Sequence, residues 1–186
     1  KLSPKHHFIE GKILHTNMQI CNWENYENDL KNLFQSLEKH EKIIDPFSIV
    51  SLTEKADYQK RASEIFSNYK FPTQLENKIN SDKNNLKTRL GYFSPDFCDH
   101  PVLHLIFDVF KNHNKNKFEI FAFSFGPRKK DEMTKQVKKY FNKFIDINDK
   151  SDEEVAMLSR KMGIDIAIDL CGFTNFNRAG IFSHRA

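Results

Sequence analysis

The sequence predicts an α/β fold in which an all-helical segment precedes one parallel sheet covered on both faces. Three observations carry this. From Thr88 onward, short apolar runs of strand length alternate with amphipathic stretches of helical period. The connections between them are short, as crossover units of a mainly parallel sheet require. Before that point, large apolar residues recur at helical spacing only.

In the first half, residues 8–20 place Ile9, Ile13 and Leu14 near helical spacing. Residues 23–37 put Trp23, Tyr26, Leu30, Leu33, Phe34 and Leu37 on one face of a long helix, with Asn22 as its N-cap. Asp45-Pro46 reads as a break followed by the apolar stretch Phe47–Leu52. Thr53 then caps a third helix carrying Tyr58, Ala62, Ile65, Phe66 and Tyr69, which Pro72 ends. Residues 73–87 are polar and are expected to link two domains. The division is therefore 1–72 helical, 73–87 linker and 88–186 an α/β lobe.

In the second half, Arg89–Ser94 is the first strand and Val102–Phe110 a helix with Val102, Leu103, Ile106, Val109 and Phe110 on one face. Phe118–Phe125 is the second strand, Asp131–Phe141 the second helix, and Phe144–Ile147 a short third strand. Ser151 and Glu154 form a capping box that opens a third helix, and Ile164–Leu170 is the fourth strand. The expected product is a Rossmann-like lobe that stops after its fourth strand, where such lobes usually continue.

Composition bounds the function. With 39% hydrophobic residues and 18 Phe, a chain of 186 residues can bury a core, so disorder throughout is excluded. Its 29 basic and 25 acidic residues are interspersed, and a net charge of +4 does not mark a nucleic-acid partner. The basic stretch Arg128–Lys143 follows a helical period and reads as a solvated face. Three cysteines with no CxxC exclude a disulfide framework and a zinc site of ordinary spacing. No apolar run approaches the roughly 20 residues of a membrane span. Lys1-Leu2-Ser3 is neither an initiator Met nor a signal peptide. The expectation is a cytoplasmic segment cut from a longer chain.

Ligands of an open parallel sheet gather beyond the carboxyl ends of its strands, which draws attention to two loops. In Ser94–Pro101, Asp99 is placed to cap the helix, Pro101 suits its first turn, and His100 and His104 lie off the core face. His100 suits a base or hydrogen-bond partner in a cleft; the same residue also suits a solvated or capping role at a helix start. A metal held by Asp96, His100 and His104 would rest on i, i+4 spacing alone, without an HExxH helix, and no metal is expected. In the loop from Asp169 to Arg178, Gly172 permits close backbone approach and Arg178 suits an anion, while Asp169 and Thr174 also suit simple turn-tying. There is no GxGxxG and no P-loop. Cys171 has no basic neighbour in sequence and reads as buried or incidental.

Five stretches, Arg89–Pro101 (RLGYFSPDFCDHP), Phe118–Pro127 (FEIFAFSFGP), Phe144–Asp146, Ser151–Leu158 (SDEEVAML) and Asp165–Arg178 (DIAIDLCGFTNFNR), together resemble, in order, the N-terminal half of the catalytic region of protein O-linked N-acetylglucosamine transferases, bacterial homologues in particular. Upstream, Met18–Trp23 and Asp45-Pro46-Phe47 are similar to the segment that joins those enzymes' tetratricopeptide repeats to the catalytic region. The resemblance implies a GT-B glycosyltransferase that transfers N-acetylglucosamine with inversion from UDP-N-acetylglucosamine to Ser or Thr of proteins, with no cofactor and no required metal. It places His100 in the cleft as base or positioning residue, and Pro101, His104, Asp169, Gly172, Thr174 and Arg178 as residues lining the substrate. It further implies that UDP contacts lie mostly in a second lobe beyond Ala186, so that this segment alone is expected to be inactive and to bind UDP weakly. Acceptor proteins are the expected partners, with neither nucleic acid nor membrane. Two other classes stand against this reading: a noncatalytic docking module made of a repeat end and a partial lobe, and a flavodoxin-like regulatory domain, whose acidic cluster and lysine are not laid out here.

Overall fold

The structure, a computed structural model, describes residues 6–72, 86–126 and 131–184. It divides into two compact units, Lys1–Thr73 and Gln74–Ala186. The expected linker over 73–87 falls outside the described residues except for Leu86 and Lys87, as do Pro127 and the start of the basic stretch at Arg128.

The first unit is helical: α1 (Ile9–Gln19), α2 (Tyr26–Glu38), α3 (Pro46–Val50) and α4 (Ala56–Lys70). Leu14, Leu33, Leu37, Ile43, Ile44, Ile49, Leu52 and Ala62 form its core, flanked by Tyr26, Leu30, Phe34, Tyr58 and Ile65. α1 approaches so closely at Gly11 that a Cβ there would fall against the Ile44 side chain. The Phe34 and Tyr58 rings stack with centroids 4.5 Å apart, and the Tyr58 hydroxyl donates to Glu38 at 2.7 Å, tying α2 to α4.

Several expectations here need correction. Ile9, Ile13 and Trp23 are exposed, because α1 turns Gly11 and Leu14 inward and Trp23 precedes α2. Asn22 does not cap α2: its side chain accepts the Glu24 N–H in a local turn, and the helix starts after Asn25. Thr53 likewise accepts from Lys55 N–H ahead of α4. The Asp45-Pro46 break is a helix start. The buried Asp45 carboxylate accepts from the N–H groups of Phe47 and Ser48 and from the Ser48 hydroxyl, and Pro46 occupies the first helical position, which needs no N–H.

The second unit alternates strictly: β1 (Thr88–Ser94), α5 (Pro101–Asn112), β2 (Phe118–Ser124), α6 (Glu132–Lys138), β3 (Lys143–Asp146), α7 (Asp152–Lys161), β4 (Ile166–Asp169) and α8 (Gly180–Ser183). The four strands form one sheet of order β3-β2-β1-β4, every pair parallel, with Phe93 opposite Phe123 and Asp169. Strand period sorts the side chains into two cores. Leu90, Tyr92, Ile120 and Ala122 meet Leu103 and Phe110 of α5 and Val137 of α6 on one face. Phe93, Phe121 and Phe123 meet Val155 and Ala156 of α7 and Ile181 of α8 on the other. The helices thus cover both faces, as the alternation predicts. Ser151 and Glu154 form the expected capping box, whereas Asp131, not a longer run, opens a shorter α6 by accepting the Thr134 N–H.

Candidate active site

The order of the strands fixes where the lobe can hold a ligand. From β1 the chain departs through α5 on one face, and after β4 it continues into α8 on the other, although β1 and β4 are neighbours. Their carboxyl ends therefore diverge, which is the switch point where open α/β sheets form a crevice. The loop after β1 and the loop after β4 border it, and these are the two loops the sequence singles out.

In the first loop, buried Ser94 ends β1 and its hydroxyl accepts the Asp96 N–H at 3.0 Å. His100, rather than Asp99, caps α5: its backbone is extended and its Nδ1 accepts the Val102 N–H at 3.3 Å. The same Nδ1 lies 3.6 Å from Oδ2 of Asp96, and the His100 side chain is 42% exposed. Pro101 takes the first helical position, as expected. Asp99 turns instead to His104, with Oδ1 2.7 Å from Nε2, and its own N–H donates to Asp131 at the start of α6. His104 is thus engaged on the outer side of α5 and does not join His100. Among the described residues no three His, Cys, Asp or Glu side chains converge as metal ligands.

In the second loop, the Asp169 carboxylate accepts from the N–H groups of Cys171 and Gly172 at 2.9 and 3.1 Å, a turn closed by its own aspartate. Gly172 holds φ at 58°, a left-handed value that favours glycine, and a Cβ there would meet no described atom within 4 Å. The conformation itself calls for glycine, and the open space beside it leaves the backbone approachable. The Thr174 hydroxyl donates to the Cys171 carbonyl at 2.8 Å and touches its Sγ. Arg178, expected to face an anion, turns inward: Nε donates to Asp152, Nη1 to the Ile147 carbonyl and Nη2 to that of Lys150. Its role in this geometry is to fasten the loop.

Burial pushes the Cys171 thiol above its ordinary value, and the charges of Asp169 and Asp96 push it further, outweighing the Thr174 contact. The thiol is therefore protonated and no nucleophile. Phe93 near the end of β1 lies opposite Asp169 at the end of β4, so the two loops leave the sheet side by side and share a border. Phe176, 86% exposed with φ at 63°, stands on the second loop and was not singled out by the sequence; an aromatic residue carrying a positive φ leaves no local pattern to find. In chemical capability, the border offers an accessible imidazole and two carboxylates, which suits proton transfer at a bound hydroxyl.

Comparison with known proteins bears on most of the chain. Residues 54–186 match the model of glycosyl transferase family 41. A probable UDP-N-acetylglucosamine–peptide N-acetylglucosaminyltransferase of Arabidopsis thaliana is 25% identical over 189 residues, covering 92% of this chain and 19% of the relative. The UDP-N-acetylglucosamine–peptide N-acetylglucosaminyltransferase of Caenorhabditis elegans is 26% identical over 89% of this chain and 16% of its own length. The probable enzyme SPINDLY of Hordeum vulgare is 29% identical over 69% of the chain and 13% of its own. A solved Thermobaculum terrenum O-GlcNAc transferase variant shares the fold with a TM-score of 0.65 and 23% identity, covering 94% of this chain and 34% of that one. The chain thus spans less than a fifth of the length of these curated relatives.

Proposed function

Because the chain belongs to glycosyl transferase family 41, we propose that it supplies the first Rossmann-like lobe of a GT-B enzyme that transfers N-acetylglucosamine from UDP-N-acetylglucosamine to Ser or Thr hydroxyls of proteins. The observation that carries this is the position of His100: a half-exposed imidazole at the start of α5, on the switch-point crevice, beside the Asp169 loop. In the proposed reaction the acceptor oxygen bonds to the anomeric carbon and the anomeric carbon–phosphate bond breaks. The electron pair leaves with UDP, configuration inverts, and the hydroxyl proton passes to His100. Asp169, Gly172, Thr174 and Pro101 shape the crevice wall, Arg178 holds the second loop in place, and His104 with Asp99 braces the first turn of α5.

Residues 1–72 are a helical segment adjoining tetratricopeptide repeats, 73–87 a linker and 88–186 the lobe, supported by the separate cores on either side. The nucleotide of the donor is met by a second lobe, and the acceptor partners are proteins of the cytoplasm. No described helix is long and apolar enough to cross a membrane. The test is direct: the full-length protein, given UDP-N-acetylglucosamine and a library of Ser- and Thr-containing peptides, should yield peptides heavier by one N-acetylhexosamine. Hydrolysis of the donor with no modified peptide at any acceptor concentration contradicts the reading.

A further inference from the structure

We infer that Asp96 is a positioning residue that decides which nitrogen of His100 carries the proton; the inference rests on the reading of His100 as the base. Two neighbours make opposite demands on Nδ1 of His100. The Val102 N–H, 3.3 Å away, needs a lone pair there, whereas Oδ2 of Asp96, 3.6 Å away, needs a proton. A neutral imidazole carries one N–H. Meeting the first demand puts the proton on Nε2, and the ring then caps the helix but has no lone pair to offer outward. Meeting the second puts the proton on Nδ1 and leaves the Nε2 lone pair open, a nitrogen that no hydrogen bond engages among the described residues.

The geometry leaves the choice to a small movement of the ring. The capping distance is longer than the usual 2.9–3.0 Å of an N–H donor, and the Asp96 distance lies just past hydrogen-bond reach. A modest rotation shortens one at the expense of the other. Asp96 is held for this purpose from behind: its N–H is fixed to Ser94, which is buried at the end of β1. Its side chain is 22% exposed, and its one ion-pair partner among the described residues is His100. Once the acceptor proton arrives on Nε2, the carboxylate faces the Nδ1–H of the imidazolium and stabilises it, the arrangement by which an acid orients a catalytic base. The Asp96 that i, i+4 spacing grouped with the histidines as metal ligands serves, in this account, the imidazole itself.

The test compares Asp96→Asn, Asp96→Glu and His100→Asn in the full-length transferase, with ring 15N spectra of His100 recorded on the 186-residue chain. An amide can donate to Nδ1 and so favours the unproductive tautomer. Asp96→Asn should therefore lower kcat by about ten- to a thousandfold, with KM for the donor within about threefold. Asp96→Glu should recover part of the loss. The 15N spectra should show a share of the Nδ1–H form in the parent chain beside the capping Nε2–H form, and the loss of that share in Asp96→Asn. Near-normal kcat in Asp96→Asn, or a ring that is wholly the Nε2–H form in both chains, overturns the inference while a crippled His100→Asn leaves the base reading intact. Near-normal kcat in His100→Asn overturns the base reading, and this inference with it.

Discussion

Arg178 closes on Asp152, with Nε and Nη2 at 2.8 and 2.7 Å from the carboxylate oxygen Oδ1. The same guanidinium reaches the carbonyls of Ile147 and Lys150, so one side chain joins the loop after β4 to the β3–α7 connection and to the start of α7. Its planar fork of donors is what makes three separate acceptors reachable. Arg178→Ala should lower stability by about 1–3 kcal/mol, because it strands acceptors that are half-buried. Arg178→Lys should recover little of this, since an ammonium cannot reach all three. Urea titration of the three proteins gives the comparison, and equal midpoints would contradict it.

Gly126 lies under the β1–α5 loop, where an added Cβ would fall on the carbonyl of Pro95. That neighbour is backbone, which cannot rotate away. Gly126→Ala is therefore expected to cost about 1–3 kcal/mol and to displace the Ser94–His100 loop. The melting temperature should fall and amide shifts should move at Asp96 and His100. A melt unchanged from the parent would show that the two loops are not packed as described.

Tyr92, buried in the sheet, has its hydroxyl 2.7 Å from Nε2 of His113 at the end of α5. Burial lowers the His113 pKa and raises that of Tyr92, which fits a protonated hydroxyl donating to a neutral ring. A histidine whose folded value is depressed contributes stability that is full above its ordinary value of 6.5 and is lost as pH falls through the folded value. The parent chain should therefore lose more stability between about pH 7 and pH 5 than His113→Asn does. Parallel denaturation curves for the two proteins over that range would remove His113 from the account.

Phe110 touches the rings of Tyr92, Phe97 and Phe141 and is fully buried. Phe110→Ala should cost about 3–5 kcal/mol, measured by chemical denaturation, because neighbours this rigid cannot close the cavity. A loss below about 1 kcal/mol would mean that α5 is not seated on the sheet as described.

What could be read from the sequence follows from the range of the interactions. The strands and their helices were legible because apolar runs and helical periods are local signals; β1, β2, the Ser151 capping box and Pro101 at the start of α5 stand where the sequence puts them. The helix α3 was hidden because Asp-Pro reads equally as a break and as a cap followed by a first turn. Asn22 and Thr53 misled because their side chains serve short turns that imitate caps. At the site, His100 and the Asp169 loop were visible as residues, but their partners were not. Arg178 finds its acceptors 26 to 31 positions away in the chain, a pairing no local pattern reveals. The capping role of His100 was one of the two roles its place in the sequence allowed, but its competition with Asp96 appears only once the ring is placed.

That double role determines the decisive experiment. His100→Ala would remove the cap and the imidazole together, so a loss of about 0.5–2 kcal/mol in stability would accompany any loss of turnover. Asparagine is among the best N-cap residues and has no basic nitrogen, so His100→Asn separates the two. Steady-state transfer from UDP-N-acetylglucosamine by full-length His100→Asn protein, with its melting temperature measured alongside, is therefore the most direct test of the account. The expected result is a melt close to the parent's with turnover lower by about two to four orders of magnitude. Near-normal turnover by a protein that melts like the parent would contradict the assignment of His100 as the base.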